Sequence, residues 1–259
     1  NRSGADPMRA LKIAQDMMGD KRVMLEVSRH LDQLTQMQVH RRKEPKPDPD
    51  GDERRSRPIT SLAEMGKLGQ TEWALRKVAP GYFMYRVATG EAQIRERITI
   101  QDKKQAILIY LDGSGSMSGR KHYKASGVVM NRLKAVISGD AEVWIFVFDT
   151  EVKEVGHAVT PEEARKLIKE FASKNFKGGG TNITSAVRGG HKFIEDKIKE
   201  GALLCRPEIV VLTDEDSSIS GLSTGDIPGT RVHGFAMEVK NQPLVKFAKS
   251  TGGVGLENF

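Results

Sequence analysis

Beyond residue 99, short runs of β-branched and aromatic residues alternate with amphipathic stretches. The runs are Ala106–Leu111 (AILIYL), Val143–Phe148 (VWIFVF), Ile209–Thr213 (IVVLT) and Val232–Met237 (VHGFAM). Between most of them lie segments with apolar residues at helical spacing, at 122–137, 161–173, 183–199 and 242–250. Near-continuous apolar strands separated by helices predict a parallel sheet covered on both faces. Only a few residues separate VWIFVF from Val152–Val155, too few for a crossover, so this pair is expected as an antiparallel hairpin at one edge. The fold class is therefore α/β, a doubly wound, mostly parallel sheet with one antiparallel edge strand.

Ahead of residue 99 the periodicity is helical. Met8, Leu11, Ala14 and Met18, then Met24, Val27, Leu31 and Leu34, predict a helical segment over 1–42, broken near Gly19-Asp20. The stretch KEPKPDPDGDERRSRP, 43–58, is dense in charge and proline and is expected as a disordered linker. Leu62, Met65, Leu68, Trp73 and Leu75, followed by Tyr82, Met84, Tyr85 and Val87, predict a second helical segment over 59–98. The expected organisation is thus an all-α N-terminal domain followed by an α/β domain over 99–259.

Composition narrows the chemistry. The chain has 259 residues and a net charge of +7. Residues 1–98 hold 19 Lys/Arg against 14 Asp/Glu, and 99–259 hold 22 against 20, so most of the excess lies in the N-terminal part. Aromatics are sparse and not interleaved with it, which disfavours a nucleic-acid surface. The single cysteine, Cys205, excludes an internal disulfide and a thiolate-rich zinc site, and fits the cytoplasm. No apolar run is long enough to span a bilayer. The six histidines show no metal-ligand spacing, and Asp149, Glu151 and Glu154 read as a solvated hairpin edge in preference to a second cation site.

The candidate chemistry sits where the first apolar strand ends, in LDGSGSMSG. Asp112, Ser114 and Ser116 leave the strand at alternate positions, and Gly113 and Gly115 let the backbone curl so that the three oxygens converge. Two further turns carry matching groups: Thr181 after three glycines in FKGGGTNI, and Asp214 at the end of VVLTD. Hard oxygen donors of this kind suit Mg²⁺, with Mn²⁺ or Ca²⁺ as alternatives. A Walker loop is excluded because no GxxxxGK[ST] is present, and a nucleophile elbow because Met117 stands where its serine would be.

In these residues the chain from about 99 to 259 resembles a von Willebrand factor A (VWA) domain, whose metal-ion-dependent adhesion site combines DxSxS, a Thr and an Asp. The resemblance implies direct metal binding by Ser114, Ser116 and Thr181, with Asp112 and Asp214 binding directly or through water. It also implies that a partner's carboxylate completes the shell. Related sequences commonly follow the last Asp with Gly. Here Glu215 and Asp216 follow, and their charge would either strengthen cation binding or repel that carboxylate. The N-terminal segments, including ALKIAQDMMGDKRVMLEVSRHLDQLTQMQVHRRKEP and YRVATGEAQIRERI, are similar to those of ViaA/CoxE-type proteins. That likeness implies a non-enzymatic adaptor working beside a MoxR-type AAA+ ATPase on a client protein that offers an acidic side chain. The competing readings are a metal-dependent phosphohydrolase or nuclease and an RNA-binding scaffold. The first lacks a second carboxylate pair, and the second would rest on the basic N-terminal part.

Overall fold

The computed structural model describes residues 21–34, 39, 42–148, 152–171, 182–216, 219 and 221–259. They fall into two compact units. One comprises 104–259 with the stretch up to Arg42, and the other is Lys43–Lys103.

In the first unit, strands β3 (Gln93–Asp112), β4 (Ala141–Phe148), β5 (Val152–Ala158), β6 (Leu204–Thr213), β7 (Arg231–Ala236) and β8 (Gly255–Leu256) form a sheet in the order β5-β4-β3-β6-β7-β8. β3 begins in the second unit and its apolar half lies here. Every pair in this order is parallel except β4 with β5, as the short connection between them demands. Alternate residues of β3 serve opposite faces. Ile107, Ile109 and Leu111 pack with Val128, Val129 and Leu133 of α4 (Arg120–Ile137) and with Leu167 of α5 (Pro161–Phe171). Ala106, Leu108 and Tyr110 pack with Ile183 and Val187 of α6 (Ile183–Lys199) and Leu244 of α7 (Gln242–Ser250). Both faces of the central strands are covered, so their inner runs Ala106–Leu111, Val143–Phe148 and Ile209–Leu212 carry no charged residue, whereas the edge strand β5 is mostly exposed. The doubly wound α/β class read from the sequence holds.

Local chemistry sets where the helices start. Thr160 Oγ1 accepts from the Glu163 amide, while the Glu163 carboxylate accepts from the amides of Val159 and Thr160, a reciprocal cap that opens α5. Asn182 and Asn241 cap α6 and α7 by accepting from the amides of Ser185 and Leu244.

The expected all-α N-terminal domain is not what the chain builds. Residues 1–20, which hold the first predicted helix, lie outside the described residues. Residues 21–32 are helical (α1) and pack on α4 within the α/β unit, burying Met24 and Leu31. The approach is close enough to require Gly127. A Cβ there would stand 2.7 Å from the Met24 carbonyl oxygen and 2.8 Å from Val27 Cβ. Polar bonds complete the contact, because Asn131 Nδ2 donates to the Ser28 carbonyl at 2.9 Å and Lys134 pairs with Asp32 at 2.9 Å.

From Asn131 the contact continues into a buried polar cluster. Asn131 Oδ1 accepts from the Arg132 guanidinium, whose Nη1 bonds Glu208 Oε1 at 2.9 Å, and Gln105 Nε2 bonds Glu208 Oε2 at 2.9 Å. His233 Nδ1 accepts from the Val254 amide, which leaves Nε2 facing Glu208 Oε2 at 3.4 Å. Burial alone pushes the Glu208 carboxyl up, but the Arg132 charge beside it overcomes this and holds it below its ordinary value. The cluster ties β3, β6, β7 and α4 together near the strands' amino-terminal ends.

The second unit overturns two more expectations. The run 43–58 is not a disordered linker. It supplies β2 (Glu53–Pro58) and all but the first residue of β1 (Arg42–Pro47), and both strands pair with β3. β2 runs antiparallel to Gln93–Ile98, with Arg57 bonded to Glu96 at 3.0 Å. Pro47 and Pro58 end their strands, whereas Pro45 lies within β1 and brings no amide donor to the ladder. The segment 59–98 is not wholly helical either. A 3₁₀ turn at Leu62–Lys67, α2 (Gln70–Val78) and α3 (Pro80–Ala88) precede the start of β3. A small core of Ile59, Leu68, Phe83, Val87 and Ile94 holds this α+β unit together.

The buried ion pair yields a prediction. Arg132→Met leaves Glu208 charged and uncompensated, and should lower stability in urea by about 3–5 kcal/mol. Because the Glu208 pKa is depressed in the fold, its contribution should be complete above the ordinary value of 4.5 and fade as pH falls below it. Glu208→Gln should flatten the urea midpoint in that acidic range.

Candidate metal-ion site

β3 continues in sequence to β4 on one side and is flanked by β6 on the other, so the winding direction reverses between β3 and β6. The carboxyl ends of such neighbouring strands form the crevice where ligands bind in open α/β sheets. Asp112 is the last residue of β3, and Asp214 directly follows the last residue of β6. The parallel register, with Leu111 opposite Leu212, sets the two ends side by side.

The turn after Asp112 folds back on itself. The Ser114 amide donates to Asp112 Oδ1 at 2.9 Å, and the Gly113 amide to the Phe148 carbonyl at the end of β4. Asp112 Oδ2 accepts from the Thr213 hydroxyl at 2.7 Å, and Thr213 Oγ1 accepts in turn from the Glu215 amide at 3.1 Å. Asp112, 3% exposed, is therefore fixed through both oxygens, by its own turn and by the end of β6. A single 3₁₀ turn, Gly115–Met117, then buries Met117 and returns Ser116 toward Ser114.

Three oxygens meet above this base. Ser114 Oγ and Ser116 Oγ are 2.9 Å apart, and Asp214 Oδ1 lies 3.1 Å from the first and 3.0 Å from the second. Asp214 Oδ2 faces the other way and accepts from Lys121 Nζ at 2.6 Å. Burial pushes the Asp214 carboxyl up, but the hydrogen bonds from Lys121 and Ser116 and the lysine charge outweigh it, so its pKa falls below the ordinary value. Asn241 Nδ2 steadies the following backbone by donating to the Glu215 carbonyl at 3.0 Å.

Four of the five sequence-predicted ligands, Asp112, Ser114, Ser116 and Asp214, are thus brought together. Thr181 lies outside the described residues, as do Asp149 and Glu151. The donor set fits a hard divalent cation. Ligands at ~2.0–2.1 Å in an octahedron stand about 2.8–3.0 Å from one another, close to the spacing of the three oxygens. That spacing also serves ordinary hydrogen bonds, so the fit rests on the chemistry of the set, two carboxylates with neutral hydroxyls. Among the described residues no group of three or more His, Cys, Asp or Glu side chains is placed to hold a metal, so the serines are essential to such a site. Three of the histidines bond elsewhere. His122 bonds the Phe171 carbonyl, His157 pairs with Glu142, and His191 bonds Thr230. Beside Asp112 and His122 lies a cavity of about 20 Å³, room for one water rather than for an organic ligand.

Sequence reasoning missed Thr213 and Lys121. Thr213 was read as the end of an apolar run, although a hydroxyl next to a strand-end carboxylate is itself a signal. Lys121 stands in the first turn of α4, where the helix dipole disfavours a cation, so a nearby anion was to be expected.

A doubly wound sheet with DxSxS at its switch point and an Asp on the neighbouring strand defines a VWA-type domain. The sequence model of the family described as "VWA domain containing CoxE-like protein" matches residues 29–231, and the chain belongs to that family. Two similar solved structures are distant. An aerotolerance-related membrane protein from Bacteroides fragilis, crystallised with multiple mutations to serines, is 16% identical with a TM-score of 0.40, covering 59% of this chain and 90% of that one. A von Willebrand factor type A protein from Catenulispora acidiphila is 14% identical with a TM-score of 0.42, covering 61% of this chain and 39% of that one. No curated protein matches the chain. Membership in the family implies a protein-interaction or adaptor role. No helix among the described residues is long and apolar enough to cross a membrane.

The Thr213 hydroxyl should matter more than its size suggests. Thr213→Val keeps the shape but leaves Asp112 Oδ2 and the Glu215 amide without this partner. It should cost about 1–3 kcal/mol in chemical denaturation.

Proposed function

We propose that this protein is a non-enzymatic, cytoplasmic adaptor that binds a client protein through a divalent cation, Mg²⁺ in the first instance, and serves a MoxR-type AAA+ ATPase. The observation that carries this reading is the triangle of Ser114 Oγ, Ser116 Oγ and Asp214 Oδ1 over a fixed Asp112. Ser114, Ser116 and Asp214 would hold the ion, Asp112 would support it from below, and Thr181 would add a further hydroxyl. A bound Mg²⁺ would supply a Lewis-acidic position for a carboxylate oxygen from another protein. Asp112 is locked by two hydrogen bonds and so favours a fixed cation cradle over a proton-transfer role.

Two measurements test the reading. Calorimetry with Mg²⁺ and with Mn²⁺ should give one site, lost in Asp112→Ala while the far-ultraviolet spectrum is unchanged. Ion binding by that variant at wild-type strength would refute the site. Pull-downs with a MoxR-type ATPase and an acidic client should lose the client in EDTA or in Thr181→Ala and retain the ATPase. Equal loss of both would assign the ion to folding or to ATPase docking instead.

A further inference from the structure

The contact between Lys121 and Asp214 has no counterpart among the residues so far assigned to the cation. Asp214 divides its two oxygens. Oδ1 receives both serine hydroxyls, and Oδ2 receives the Lys121 ammonium at 2.6 Å. The Asp214 side chain is 1% exposed and the Lys121 side chain 23% exposed, so the lysine reaches solvent at the rim while its charge rests on a buried carboxylate. Because the two contacts use different oxygens, a cation on the hydroxyl side need not displace the lysine. A positive charge in the first turn of α4 also adds to the helix dipole rather than offsetting it.

The charges bonded to one another within the cluster are Asp112, Asp214 and Lys121, a net of one negative charge, to which Glu215 and Asp216 next in the chain add equally with and without the lysine. A divalent cation leaves this set with one net positive charge. Without the lysine the loaded set would be neutral. We propose that Lys121 is a specificity-determining residue that weakens cation binding and, in exchange, makes the loaded site prefer an anionic ligand over water or a neutral oxygen. This rests on the metal reading above and deepens it, because it ties the carboxylate preference to a residue outside the DxSxS, Thr and Asp set.

The probes are the metal alone, followed by acetate with acetamide as its neutral counterpart. Lys121→Met removes the charge and keeps most of the length, Lys121→Gln keeps a hydrogen-bond donor, and Lys121→Arg keeps the charge. Removing a unit charge at this range should tighten Mg²⁺ binding about tenfold in Lys121→Met and Lys121→Gln. With Mn²⁺ bound, water-proton relaxation should show that those two variants need several-fold more acetate than the wild type to displace metal-bound water. Acetamide should not separate them, and Lys121→Arg should follow the wild type. Weaker cation binding in both neutral variants would mean that the lysine only orients Asp214, and would overturn the proposal. An unchanged response to acetate would overturn it as well. If the wild type bound neither ion, the metal reading itself would fail, a result distinct from either of these.

Discussion

The pairing of β3 with β6 is the constraint on which the site depends. It places two carboxylates at adjacent strand ends, where like charges would repel unless each is satisfied separately. The chain solves this with asymmetric partners. Asp112 takes a backbone amide and the Thr213 hydroxyl, whereas Asp214 takes two serine hydroxyls and an ammonium. One carboxylate becomes part of the framework and the other faces the mouth of the crevice. The cation site proposed above rests on that division.

The opposite end of the sheet meets a similar demand in another way. Glu208 is fully buried and is compensated by Arg132 and Gln105, while Asn131 carries the chain of contacts on to α1. The strands are thus anchored by polar groups at both ends and by apolar packing between. Burying an ion pair seldom adds much net stability, but losing one partner is costly. The cluster bridges β3, β6, β7 and α4, so loss of one partner would be felt by all four.

Much of this was legible in the sequence. The α/β region was readable because its strands are buried on both faces and its helices carry one apolar stripe, so the two periodicities separate cleanly. The convergence of Asp112, Ser114, Ser116 and Asp214 was readable because DxSxS and the strand-end Asp combine oxygen donors with glycines in an unusual order. The region 43–103 was not, because β1 and β2 are mostly exposed and are held by ladder bonds and by pairs such as Arg57 with Glu96, leaving no hydrophobic alternation to read. Attachment of α1 to α4 was hidden for a different reason. Its signal is a missing side chain, Gly127, inside an otherwise ordinary amphipathic pattern.

The central position of β3 also bears on how the chain reaches this state. Gln105 finds Glu208 103 residues later, and Thr213 meets Asp112 across a separation of 101. Contacts this distant in sequence close slowly, since the entropy of the intervening loop is lost before they form. During synthesis the apolar half of β3 emerges with its β4 neighbour close behind, yet its other edge stays open until β6 has been made. Throughout that interval AILIYL presents unpaired backbone and apolar side chains to whatever is nearby. The flank of β3 that brings Asp214 beside Asp112 is therefore the later of the two to close.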